Sequence, residues 1–153
     1  MRPAPLFVAV AATLFCSQAP AAPAPQKLPR YGVFVYSSLC TEKESGDAAG
    51  YRLTLMRYGD GDHIVFEWSE GGLYEASGYK VALDEKTSRI SFTVDTPGAP
   101  QEPAYTHSYS GTISSEALEI RDNAAIPGRA DRVPRARDLS RKMDSCPERK
   151  GPP

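Results

Sequence analysis

Any chemistry in this chain has few parts to work with. The residues whose types suit nucleophilic, acid–base or metal chemistry are His63 and His107, three cysteines (Cys16, Cys40 and Cys146), and the run Asp60-Gly61-Asp62-His63. A catalytic triad needs a nucleophile, an imidazole and an orienting carboxylate brought together. The sequence has no Gly-x-Ser-x-Gly elbow, no phosphate loop and no His-Glu-x-x-His run to signal one. Both histidines therefore read as exposed or hydrogen-bonded strand residues, and no catalytic residue is expected. The run at 60–63 offers fewer oxygens than calcium needs and does not continue as an EF-hand loop. Asp-Gly is also what a tight hairpin turn requires for its backbone. Neither a metal nor a cofactor is expected.

The cysteines say more about compartment than about catalysis. Met1-Arg2-Pro3 is a short cationic start, the apolar stretch Leu6 to Phe15 follows, and Ala19 and Ala21 have the spacing of a signal peptidase site. This reads as a secretory signal over residues 1–21, cut before Ala22. Phe15 directly before Cys16 argues against lipidation of that cysteine, which is expected to leave with the signal. Two cysteines remain, and in an oxidising compartment Cys40 and Cys146 should pair. The loop so closed spans about a hundred residues, for which loop-closure entropy gives roughly 4–5 kcal/mol. The expected location is periplasmic or secreted, with no segment long and apolar enough to span a membrane as a helix.

The elements that would carry any site come from period-two alternation. Residues 22–30 are Pro-rich and read as an extended leader, 31–146 as a single β domain, and 147–153 as a disordered tail. Strands are predicted over 31–36, 51–58, 63–69, 79–83, 89–94, 105–113 and 118–121, with Leu73 to Gly78 leading into the fourth. A further short strand within 133–139 would be confined to an edge by Pro134. Residues 95–104, with three prolines, read as a long loop. No helical pattern of useful length intervenes. The fold class is therefore all-β, a small antiparallel meander curling into an up-and-down barrel of seven to eight strands, with a two-sheet sandwich as the alternative. A Cys40–Cys146 bridge would set the first and last strands side by side.

Charge is unevenly spread. Acidic residues dominate from 22 to 120, with Glu42, Glu44 and Asp47 in one loop and Glu67, Glu70 and Glu75 nearby; from Arg121 onward nine cations face five carboxylates. A basic tail lying along an acidic body would neutralise it, whereas exposed acidic loops would select a basic partner. Nucleic acid is not expected, because the tail alternates in sign. Tyrosine is the dominant aromatic, and Tyr74, Glu75, Ser77 and Tyr79 join Glu42, Glu44 and Asp47 as candidate contact residues. Ser77-Gly78 and Ser110-Gly111 invite comparison with periplasmic lysozyme inhibitors of the small β-barrel kind, which carry Ser-Gly-x-x-Tyr. Here Ser77-Gly78 is followed by Tyr79, Lys80 and Val81, and Ser110-Gly111 by Thr112, Ile113 and Ser114. The resemblance ends at the Ser-Gly pairs and the general plan of a small, exported, disulfide-closed acidic domain, and assigns no family. The expected function is an exported, non-enzymatic binding protein that uses barrel loops, in its sharpest form an inhibitor or immunity-type protein for a cationic cell-wall hydrolase. The alternatives are a carrier of a small apolar ligand in the barrel and an envelope structural or assembly factor.

Overall fold

A computed structural model describes residues 26–69, 72–96, 104–124, 130–138 and 143–148. The expected signal peptide with Cys16, the first part of the leader, most of the Pro-rich loop and the end of the tail lie outside them. The chain is all-β. Its strands are β1 (Gly32–Ser37), β2 (Cys40–Thr41), β3 (Ala48–Ala49), β4 (Tyr51–Tyr58), β5 (Gly61–Ser69), β6 (Leu73–Asp84), β7 (Arg89–Thr96), β8 (Tyr105–Ile113), β9 (Ala117–Asp122), β10 (Asp131–Ala136) and β11 (Asp144–Ser145). Eight of them close into a barrel in the order β1-β10-β9-β8-β7-β6-β5-β4, and β11, β2 and β3 form a small separate sheet. The barrel, not the sandwich, is the fold. The small sheet had no signature in the sequence, because two-residue strands carry no alternation.

Register decides which side chains fill the interior. Leu53 and Leu55 on β4 stand opposite Phe66 and Ile64 on β5, and Phe92 on β7 stands opposite Tyr109 on β8. All of these are buried. The Phe66 ring lies 4.8 Å from that of Tyr109, which is three strands away around the wall, and 5.5 Å from Phe92. Side chains thus meet across the axis, as the narrow bore of an eight-stranded barrel requires. Gly78 makes room for them: it faces inward opposite Ile64, and a Cβ there would lie 3.1 Å from the Ile64 Cβ.

β6 is one strand where the sequence suggested two segments. Tyr74, Ala76 and Gly78 stand opposite inward Trp68, Phe66 and Ile64, but further along it is Leu83 that stands opposite inward Ile90. The change from even to odd positions is made by a register shift between Tyr79 and Ala82, with Lys80 in the left-handed region at φ 52°. A bulge adds one residue and re-phases the strand.

Pro134 also acts differently from expectation. β10 is not an edge strand, since it pairs with both β9 and β1. The Arg135 N–H donates to Glu116 O on the β9 side, so the nitrogen of Pro134 points toward β1. The β1 ladder covers only Arg135 and Ala136, and no donor is required of Pro134 there. Proline is accommodated by the shortness of one ladder rather than by a free edge.

Cys40 and Cys146 are disulfide-bonded, and β11 lies parallel to β2 beside them. Glu148, in the stretch expected to be a disordered tail, lies 3.4 Å from Lys43. Reducing the disulfide is expected to lower unfolding free energy by up to about 4–5 kcal/mol, read as a shift of the urea midpoint with and without reductant. Glycine substitution tests the packing. Gly78→Ala should cost about 1–3 kcal/mol. Gly111→Ala should cost more, because its Cβ would collide with the Glu119 carbonyl, which is backbone and cannot swing away.

Candidate functional site

The two ends of the barrel are built differently. At one end the connections are tight: residues 59–60 between β4 and β5, 85–88 between β6 and β7, and 114–116 between β8 and β9. At the other they are residues 38–50, 70–72, 97–104 and 123–130, and the first of these includes β2 and β3. Loops positioned by a rigid wall are where binding residues concentrate, so the second end, the loop end, is the candidate.

The tight end is occupied by the chain's own leader. Gln26 O accepts from the Ser115 N–H, Leu28 packs on the core, and Pro29 O accepts from Arg57 Nη1 at 2.9 Å. Arg57, near the end of β4 and buried, completes the arrangement: Nε donates to Asp62 at 2.9 Å and Nη2 to Glu85 at 2.6 Å. Burial alone would disfavour its charge, but the bonds to Glu85 and Asp62 outweigh it and hold the guanidinium more firmly protonated than usual. Tyr36 is buried on β1, its hydroxyl donates to Ser114 O at 2.6 Å, and burial pushes it up to about 12.

The loop end carries the acidic hairpin. Glu42, Glu44 and Asp47 are all exposed in the turn between β2 and β3, which is closed by Glu42 N–H to Asp47 O and Gly46 N–H to Glu42 O. Ser69 ties the hairpin to β5, its hydroxyl to Ala48 O and its N–H to Gly50 O. The Cys40–Cys146 bridge ties it to the tail. Inside the same end, Tyr74 stacks on Trp68 with ring centres 5.7 Å apart, and Trp68 stacks on Phe66. Tyr74 is 43% exposed and Tyr105, the first residue of β8, is 50% exposed, so the aromatic packing of the core continues to the surface here.

The predicted contact residues divide between two places. Glu42, Glu44, Asp47, Tyr74 and Glu75 belong to the loop end, Tyr74 inward and Glu75 outward opposite Glu67. Ser77 and Tyr79 are exposed on the outer wall of β6, and the Tyr79 hydroxyl donates to Asp95 at 2.9 Å, a bond that raises its pKa. Glu67, counted with the acidic cluster, does not join it: it is buried and lies 3.3 Å from Arg52 Nε. Of the basic tail expected to neutralise the body, Arg129, Arg141, Lys142, Arg149 and Lys150 lie outside the described residues. Among the described residues, Arg135 lies 4.8 Å over the Phe34 ring and 5.3 Å over Tyr36, and the tail meets the hairpin through the disulfide, the β11–β2 pairing and the acidic Glu148 on Lys43.

One pair escaped the sequence reading. His107 Nδ1 lies 3.0 Å from an Asp122 carboxylate oxygen, with the imidazole stacked on Tyr109. His107 shares its inward phase with Tyr109, and Asp122 shares its own with Leu118 and Ile120. Only the β8–β9 register, which sets Tyr109 opposite Asp122, brings the two together. His63 sits elsewhere, 3.8 Å from Asp60 in the turn and beside the Tyr58 ring. The fold thus defines a closed eight-stranded antiparallel barrel with one leader-covered end and one loop end. Comparison with protein-family models, with characterised proteins and with solved structures returns no match.

The leader end makes a pH prediction. The Arg57 hydrogen bond and charge hold Glu85 below the usual glutamate range. A depressed carboxylate contributes stability that is present above its unfolded pKa and lost as pH falls through the folded one. Acid unfolding of the wild type should therefore steepen below about pH 4.5, the ordinary glutamate value. Glu85→Gln should flatten that limb of the stability profile while changing the neutral-to-alkaline limb little.

Proposed function

We propose that the chain is an exported, non-enzymatic binding protein whose loop end engages a basic protein partner, a cationic cell-wall hydrolase being the sharpest case. The observation that carries this reading is the gathering of every long connection at one end, headed by an exposed hairpin with Glu42, Glu44 and Asp47. The hairpin is pre-ordered by the disulfide and by the Ser69 bonds. A pre-ordered segment has less conformational entropy to lose on association. Complementary charge speeds encounter and selects partners, and Tyr74 and Tyr105 supply exposed aromatic area of the kind that anchors interfaces. The ring packing along the barrel axis favours contact through the loops over a ligand held in the barrel interior.

The test is inhibition and direct binding against a panel of lysozymes with the purified, disulfide-bonded protein. Loss of lytic activity at micromolar protein is expected, weakening as salt rises. The triple change Glu42→Lys, Glu44→Lys, Asp47→Lys should weaken the complex by at least about tenfold, near 1.4 kcal/mol. Glu116→Lys at the leader end should leave it unchanged. Absence of both inhibition and binding across the panel would reject the hydrolase reading, and indifference to the triple change would reject the hairpin as the contact.

A further inference from the structure

The leader does not close its end of the barrel completely. Between it and the barrel rim lies a cavity of about 180 Å³. Three of its walls are aliphatic: Leu28 from the leader, Leu83 from the end of β6 and Ile113 from the end of β8. The rest are polar and unbalanced in sign. Arg57, Lys27 and Lys86 contribute three cations, against the single carboxylate of Glu85.

That carboxylate is already bound to Arg57 Nη2 at 2.6 Å, and the other nitrogens of Arg57 are held by Asp62 and Pro29 O. Among the described residues neither Lys27 nor Lys86 forms an ion pair. Two lysines thus line a partly apolar hollow, and the one carboxylate among its lining residues, Glu85, is engaged by Arg57 and also feels the charge of Lys27. A cavity of roughly 150 Å³ lined by aliphatic groups is large enough for benzene, so this one matches a body of about six to eight carbons.

We propose that this cavity is a binding site for a small amphipathic carboxylate, with its hydrocarbon on Leu28, Leu83 and Ile113 and its charge between Lys27 and Lys86. The hydrocarbon supplies burial and the ammonium groups supply charge-assisted hydrogen bonds. Because Leu28 is one of the walls, an occupant holds the leader against the barrel. The site is independent of the loop end and of any protein partner there.

Octanoate is the probe, with octan-1-ol lacking the charge and acetate lacking the chain, added to the purified, disulfide-bonded protein. Amide resonances of Leu28, Leu83 and Ile113 should shift saturably with octanoate. The Ser115 N–H, bonded to Gln26 O, should exchange more slowly. Octan-1-ol and acetate should bind at least about tenfold more weakly. Lys27→Gln with Lys86→Gln should cost octanoate a similar factor while leaving the remaining resonances in place, and Leu28→Ala should weaken octanoate and octan-1-ol alike. Equal binding of octanoate and octan-1-ol would overturn the proposal. So would octanoate shifts confined to other residues, no saturable response through millimolar concentration, or an unaltered response in the double lysine variant.

Discussion

The seam between β1 and β10 is the constraint on which the rest of this molecule depends. Their ladder consists of two pairs, Val35 with Ala136 and Tyr36 with Arg135, whereas β4–β5 and β7–β8 are paired over their full facing lengths. Without that seam the sheet would have two free edges and an uncovered apolar face, the usual route to edge-to-edge association. The chain reinforces it from several directions. Arg135 lies over the rings of Phe34 and Tyr36, its Nη2 donates to Val33 O at 3.4 Å, and the Tyr36 hydroxyl reaches Ser114 O. Beyond β1, Cys40 is bonded to Cys146, so the chain on either side of the seam is also joined covalently.

Closure at eight strands has a second consequence, because the bore is only as wide as side chains can fill. Phe66 meets Phe92 and Tyr109 across it, and Gly78 is needed where Ile64 takes the space a side chain would use. With the interior committed to packing, recognition is left to the ends. These are not equivalent, since in a meander alternate connections fall at opposite ends. Here the connections where the leader docks are all short, and the long ones, 38–50, 97–104 and 123–130, all fall opposite beside the short 70–72. The acidic hairpin inserted between β1 and β4 is therefore both a part of the closure, through Cys40, and the leading feature of the loop end.

Burial on the outside of the wall follows from the same architecture. Val35, Arg52 and Glu67 point away from the axis, by their register with Thr54 and with each other, yet all three are buried. An ion pair placed out of water is held by its mutual geometry, and loss of either member would strand the other. A charge on an outward strand position is ordinarily read as solvated, which is why Glu67 looked like part of an acidic surface.

Alternation of apolar and polar residues over seven short segments determined that this chain is all-β and, in strands such as β5 and β7, which side chains face the core. The expected pairing of Cys40, just past the first strand, with Cys146, just past the last, pointed to the strands that meet, and that disulfide is formed. These are local properties, since period-two patterning and turn chemistry act within a few residues. The tertiary structure alone decided what depends on register between strands. It re-phased β6 at Lys80, let Pro134 sit inside a closed barrel, and set His107 beside Asp122. It also docked the leader beneath Arg57 and brought Glu42, Glu44 and Asp47 to the end where Tyr74 emerges. The physical reason is common to all of these: a residue's parity is written in its neighbours, but its partner across the sheet is chosen only when the whole barrel closes.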